Sequence, residues 1–169
     1  MNLKNQWTDS DMDEQKPKLL YQDLTNVIRQ SAYEVHSYFG TGFLEKVYEN
    51  ALAYSIRKHN YRCEQQVPIK VYFENNIVVG EYIADMVVDK KIIIELKAIG
   101  TLEKIHFAQL KNYLNATKYR LGLLINFGSE KLQFKRVILW YGERFNTEKH
   151  RRHRKKKNIV KAERQECRN

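Results

Sequence analysis

The stretch Lys91–Ala98, KIIIELKA, decides how this chain is read. Ile92, Ile93 and Ile94 are β-branched and apolar, the composition of a buried strand. The same strand nevertheless carries Glu95 and Lys97. Side chains alternate across a strand, so Ile93, Glu95 and Lys97 face one way and Ile92, Ile94 and Leu96 the other, into a core. An ionised group beside such a strand is costly to desolvate unless it is paired or bound to a metal. Just upstream, IVVGEYIADMVVD (77–89) sets Asp85 between apolar residues, and DKK (89–91) is a tight turn. A hairpin of 82–89 with 91–98 places Asp85 across from the neighbourhood of Glu95. Two carboxylates and a lysine then converge at one end of a sheet. Hard cations such as Mg²⁺ take oxygen ligands of this kind together with water and substrate phosphate. A metal there polarises a phosphodiester and lowers the pKa of a bound water, while the lysine orients or deprotonates that water or stabilises charge on the phosphate. The competing reading is a cross-strand salt bridge, which is common and worth little when exposed.

The flanking sequence supplies the rest of a domain. Leu24, Val27, Ile28, Ser31, Val35 and Tyr38 recur at helical spacing within 21–39, and FGTG (39–42) breaks that helix. Leu44, Val47, Tyr48, Ala51, Leu52, Ser55 and Ile56 form a second helical stripe over 43–59, with Asn60 as its stop. Within it Glu45 and Tyr48 lie one turn apart, and taken alone they read as surface residues. The period then changes to that of strands at QVPIKVYF (66–73), where Pro68 favours an edge, then 77–89 with a bulge at Gly80, then 91–98. TLEKIHFAQLKNYLNAT (101–117) returns to helical spacing with Thr101 as its N-cap. His106, Gln109 and Tyr113 share a polar face on that helix, which either faces the Glu95 site or is solvated. Two further strands are expected at 118–127 and 131–141. The order is that of one α/β domain of α+β type with a mixed sheet.

The 169 residues hold thirty Lys/Arg and twenty Asp/Glu, a net charge of +10, placed unevenly. Residues 148–169 hold ten of the basic and three of the acidic residues; the other 147 hold twenty and seventeen. The run Arg151, Arg152, Arg154, Lys155, Lys156 and Lys157 repels itself, so 148–169 reads as a disordered basic tail that attracts polyanions. The polar segment 1–18 reads as a flexible leader, leaving 19–147 as the domain. No apolar run reaches the length of a membrane span and no signal-peptide core opens the chain, so an intracellular, cytoplasmic protein without a membrane partner is expected. Cys63 and Cys167 read as free thiols.

Taken in order, the motifs resemble the GxxExxY protein family. GFLEKVY (42–48) matches its Gly-x-x-Glu-x-x-Tyr signature, ADMVVDKKIIIELKA (84–98) its Asp…Glu-x-Lys segment, HFAQLKNYL (106–114) its Gln-x-x-x-Tyr helix, and LGLLINFG (121–128) the strand that follows. The resemblance covers about residues 21–140. It places the chain beside the PD-(D/E)xK nuclease-like superfamily and implies a restriction-endonuclease-like αβββαβ core, a mixed central sheet flanked by helices. It further implies Asp85 and Glu95 as ligands of Mg²⁺ or Mn²⁺ with the Leu96 carbonyl as a third, Lys97 as the catalytic lysine, and Glu45 as an additional carboxylate from the N-terminal helix. Gln109 and Tyr113 resemble the helix pair that supports the site and contacts nucleic acid, with His106 and the basic run at 151–157 as further nucleic-acid contacts. Ala84, Ile83 and Thr41 depart from the pattern, standing where Pro, Arg and Pro are expected. The implied activity is metal-dependent phosphodiester hydrolysis, with DNA ahead of RNA as partner and a homodimer as a possible assembly. A non-catalytic nucleic-acid-binding or assembly module on the same fold is the alternative, and a protein-interaction domain, in which Asp85, Glu95 and Lys97 do not converge, is the third reading.

Overall fold

The computed structural model describes residues 19–74 and 76–139. The expected leader, the basic run at 151–157 and Cys167 lie outside the described residues. Within them the order is α1 (Gln22–Phe39), α2 (Glu45–Lys58), β1 (Cys63–Phe73), β2 (Ile77–Val88), β3 (Ile92–Lys97), α3 (Lys104–Thr117), β4 (Leu121–Asn126) and β5 (Gln133–Ile138). The strands form one sheet in the order β1-β2-β3-β4-β5. Only β3 and β4 run parallel, joined by the crossover through α3; the other neighbours are antiparallel. This is the mixed sheet flanked by helices of the restriction-endonuclease-like fold.

Both faces of the sheet are covered. Leu24, Ile28, Ala32 and Val35 of α1 and Tyr48, Leu52, Ala53 and Ile56 of α2 pack against Met86, Val88, Ile92, Ile94, Leu96, Leu121, Leu123 and Ile125. On the opposite face Leu110, Tyr113 and Leu114 of α3 meet Ile69, Val87, Ile93, Leu124 and Val137. Apolar residues therefore alternate between two cores along β3, which explains the unbroken run Ile92–Ile94. The helical stripes shift slightly from those read in sequence. Tyr38 and Leu44 are 83% and 80% exposed, whereas Tyr48, on the stripe but a surface residue when read alone with Glu45, is fully buried. The N-cap of α3 is Glu103 rather than Thr101: the Glu103 side chain and His106 close a capping box.

The hairpin between β2 and β3 turns as expected. Asp89 and Lys90 both adopt positive φ, and the Lys91 N–H closes the turn on the Val88 carbonyl at 2.9 Å. β1 is an edge strand, consistent with Pro68 in its middle. The bulge in β2 falls beside Gly80: Val71 pairs with Gly80 and Tyr72 with Val78, leaving Val79 unopposed. No helix among the described residues is long and apolar enough to cross a membrane.

The segment after β3 is fixed from β4. The Phe127 N–H donates to the Lys97 carbonyl at 2.7 Å, and buried Asn126 accepts from Ile99 N–H (3.0 Å) and Gly128 N–H (3.1 Å) while donating to the Ile99 carbonyl (2.8 Å). Gly128 lies so close to this segment that an added Cβ would meet Ile99 N at 2.2 Å and Ala98 C at 2.4 Å. Backbone cannot yield as a side-chain tip does. Gly128→Ala should therefore cost about 3 kcal/mol of stability in urea unfolding, at the upper end of overpacking effects. An unchanged urea midpoint would mean that Ala98 and Ile99 are not held this tightly.

Candidate active site

The ladder between β2 and β3 ends where the charged residues begin. Met86 and Ile94 are its last paired residues, and Asp85 and Glu95 stand one step beyond them. The Leu96 N–H, which no longer has a β2 backbone partner, donates to Asp85 Oδ2 at 2.8 Å. Lys97 Nζ donates to Glu95 Oε1 at 2.6 Å and to the Leu96 carbonyl at 2.8 Å. Asp85, Glu95, Leu96 and Lys97 thus form one hydrogen-bonded cluster at the C-terminal end of β3. Glu95 is only 2% exposed, and its second oxygen, Oε2, is buried with no hydrogen-bond partner. The exposed salt bridge considered from sequence does not describe this pair, and the three side chains converge where the third reading expected them apart.

Glu45 reaches the same cluster from the first turn of α2. Gly42, at φ +103°, makes the turn that starts this helix, a conformation that favours glycine. Tyr48 locks that turn: its hydroxyl donates to the Gly40 carbonyl at 2.9 Å, accepts the Phe43 N–H at 3.3 Å, and its ring stacks on Phe127 with centroids 4.7 Å apart. In the Gly-x-x-Glu-x-x-Tyr motif the glycine and tyrosine therefore set the backbone that aims the glutamate.

The groups titrate against one another. Burial pushes Glu95 up to about 7, helped by the Asp85 and Glu45 charges and opposed by the Lys97 hydrogen bond and charge. Burial also raises Asp85, against the pull of the Leu96 N–H and Lys97. Glu45 is raised by burial, opposed by Lys97 and the Ala98 N–H and reinforced by Asp85 and Glu49. For Lys97 burial acts downward, but the Glu95 hydrogen bond and the charges of Glu95, Glu45 and Asp85 outweigh it and leave the amine raised. Three carboxyl groups thus surround one ammonium.

Gln109 and Tyr113 arrive from α3. Gln109 Nε2 donates to the Tyr113 hydroxyl at 2.7 Å, and the Tyr113 pKa is raised by burial and by the Glu95 and Asp85 charges, against the Gln109 bond. The Tyr113 ring also meets that of Tyr82 at 5.5 Å. His106 is used differently: its Nδ1 accepts the Glu103 N–H at 2.9 Å, satisfying an orphan donor at the start of α3.

Three polar residues were not singled out from sequence. Glu49, 3% exposed, accepts from Lys46 Nζ (2.7 Å), Gln65 Nε2 (2.9 Å) and Gln66 Nε2 (2.8 Å) and adds negative charge near Glu45 and Asp85. Its spacing of four from Glu45 on one helix face was a readable clue. Gln66 lies in a strand with φ +51°, where the β1–β2 pairing skips from Gln65–Met86 to Val67–Ala84. Such local strain next to a charged cluster marks functional sites. Asn126 ends the apolar run LGLLIN, and a fully buried amide there had to be satisfied.

The oxygen donors suit a hard divalent cation: Asp85, Glu95 and the Leu96 carbonyl are the residues that would hold it, and the orphaned Glu95 Oε2 is an acceptor that such an ion satisfies. Lys97 lies on Glu95 Oε1 and the Leu96 carbonyl, so its ammonium takes the place of that charge. Among the described residues no group of three or more His, Cys, Asp or Glu forms a ready cage; Mg²⁺ sites with one or two carboxylates and several waters do not need one.

The sequence profile of the PD-(D/E)XK nuclease superfamily matches residues 22–137. The chain belongs to the PD-(D/E)XK nuclease superfamily. No curated protein matches it. The solved structure of SSO0001 is similar over 69% of this chain and 64% of that one, at 20% identity and a TM-score of 0.38. This chain therefore spans less than two thirds of that one.

The raised carboxyl groups set a pH dependence. A carboxyl whose folded pKa lies above its unfolded value stabilises the fold below the unfolded value and loses that contribution as pH rises through the folded one. For Glu95 the window runs from 4.5 to about 7. Each pH unit is worth roughly 1.4 kcal/mol, so about 3 kcal/mol is lost across it. Without divalent metal, thermal stability should fall from pH 5 to pH 8, and Glu95→Gln should remove most of that slope. A parent profile as flat as that of Glu95→Gln would mean that Glu95 ionises freely.

Proposed function

We propose that this nuclease-superfamily chain is an active metal-dependent nuclease of the GxxExxY kind that hydrolyses phosphodiester bonds, with DNA favoured over RNA. The observation behind this reading is the buried convergence of Asp85, Glu95 and Lys97 around the unpartnered Glu95 Oε2. The GxxExxY assignment is supported by Gly42, Glu45 and Tyr48, which act together to bring a third carboxyl group to the cluster.

Asp85, Glu95 and the Leu96 carbonyl would hold a divalent cation, whose positive charge would polarise the phosphodiester and ease ionisation of the attacking water. The chain's own residues do the rest. Lys97 stays protonated at neutral pH, because the surrounding carboxylates hold its amine up. It serves as a donor to a phosphate oxygen, where charge develops. To do so it leaves the Leu96 carbonyl, which then becomes a free oxygen ligand. Asp85 keeps the Leu96 peptide oriented through its N–H. Glu45 contributes negative charge opposite Lys97, and Gln109 orients the Tyr113 hydroxyl beside the carboxylates.

Labelled single- and double-stranded DNA and RNA, incubated with Mg²⁺, Mn²⁺ or EDTA, test the reading. The parent should cut at least one substrate with metal and none in EDTA. Lys97→Ala and Asp85→Ala should each slow cleavage about a hundredfold or more, the scale expected for removing one group that stabilises developing charge. Salt-sensitive binding that survives Lys97→Ala, with no cleavage of any substrate, would instead identify a non-catalytic binding or assembly module.

A further inference from the structure

A large cleft lies away from the carboxylate cluster, between α1 and the edge strand β5. Its volume is about 1030 Å³, and Gln22 and Arg29 of α1 face Lys131 and, on β5, Phe134 and Arg136 across it, while Gln133 and Lys135 stand at its rim on the α3 side of the strand. Four cations and a single carboxylate, Glu130, line its walls. Among the described residues neither arginine is ion-paired: Arg136 donates to the Leu20 carbonyl at 2.8 Å and Arg29 to Asn26 Oδ1 at 3.1 Å. The Leu20 bond fixes one corner of the Arg136 guanidinium and leaves its other donors for a ligand. Burial, then the proximity of Arg29, lower the Arg136 pKa. Two guanidinium groups held within reach of each other without a carboxylate between them are a site for an anion.

We propose that this cleft binds the phosphodiester backbone of a nucleic-acid strand, as a second anion site separate from the cluster of Asp85, Glu95 and Lys97. A single small anion needs far less space than the cleft offers, since pockets for whole drug-sized ligands span roughly 300–1,000 Å³. Arg29 on α1, Arg136 on β5 and Lys131 in the loop before β5 spread positive charge over three separate elements, wider than one small anion spans. On the other side of β5, Gln133 accepts from Asn126 Nδ2 at 3.1 Å, and Asn126 holds Ile99, two residues beyond Lys97, so the rim of the cleft is tied to the segment that follows β3. Contacts of this kind position a nucleic acid without reading its sequence. The inference rests on the reading of the chain as a nucleic-acid enzyme.

The test compares the full chain with Arg29→Gln/Lys131→Gln, two exposed side chains whose loss leaves both cores intact. Lys58→Gln/Lys70→Gln, exposed residues at the end of α2 and on β1, the sheet edge opposite β5, removes the same charge off the cleft. Binding of a labelled oligonucleotide is followed by anisotropy in EDTA across a salt series. The cleft variant should bind about tenfold more weakly with a salt dependence shallower by one to two contacts, and the control should lose little. Equal loss in both variants, or none in the cleft variant, overturns the inference. So does protection of the parent against heat by inorganic phosphate that matches protection by the oligonucleotide and vanishes in the cleft variant, because the cleft would then be a small-anion site. Cleavage of a small phosphodiester with Mn²⁺ separates this inference from the nuclease reading. A parent that cleaves it while the cleft variant binds oligonucleotide like the parent refutes the cleft alone; a parent that never cleaves while the cleft variant loses binding refutes the nuclease reading alone.

Discussion

The Lys97 ammonium, held at 2.6 Å from a carboxylate that is 2% exposed, is the contact on which the site depends. A single buried positive charge faces Asp85, Glu95 and Glu45, more negative charge than it neutralises. Ionised together and left in low dielectric, such groups are unfavourable by several kcal/mol. The protein meets this by raising the carboxyl pKa values, most clearly that of Glu95, and by turning the Leu96 N–H, the Ala98 N–H and Lys97 onto the carboxylates. One acceptor, Glu95 Oε2, is still left over. The divalent cation proposed above would satisfy that acceptor, and hard oxygen donors suit such an ion.

The fold explains why so unfavourable a cluster persists. β3 is central, with an apolar core on each side, so its C-terminal residues have no freedom to swing into water. Its pairing with β4 runs unbroken to Lys97–Asn126, while its pairing with β2 stops at Ile94. The opening between β2 and β3 is thus the place where backbone donors and acceptors become available to side chains. Asn126 and Gly128 on one side, and the turn locked by Tyr48 on the other, hold the walls of that opening. Stability of the domain is spent on geometry at one end of the sheet, and the strained Gln66 opposite Asp85 belongs to the same pattern.

Much of this was legible in the sequence because it depends on local pattern. The changes of period fixed the order of helices and strands, Pro68 marked the edge, and Asp89–Lys91 set the hairpin that brings Asp85 beside Glu95. Glu45 was legible through its motif alone, since nothing in its own helix distinguishes it from a surface glutamate. The stripe of α2 placed Tyr48 correctly, but its part in shaping the site was not legible, because that depends on the Gly40 carbonyl and the Phe127 ring. β1 starts at Cys63, earlier than its alternation suggests, because Arg57 of α2 binds the Cys63 carbonyl through both Nε and Nη2. The cleft between α1 and β5 joins residues about a hundred positions apart, and no window of sequence displays it.

The central claim is that the carboxylate cluster is completed by a divalent cation that requires ionised Glu95. Calorimetric titration of Mn²⁺ into the full chain at pH 7, in two buffers of different ionisation enthalpy, tests it most directly. The account predicts saturable binding with release of a proton to the buffer, because Glu95 sits near half-protonation at that pH and must ionise to bind. Both the binding and the proton release should be lost in Glu95→Gln. No saturable heat, or binding unchanged in Glu95→Gln, would contradict it.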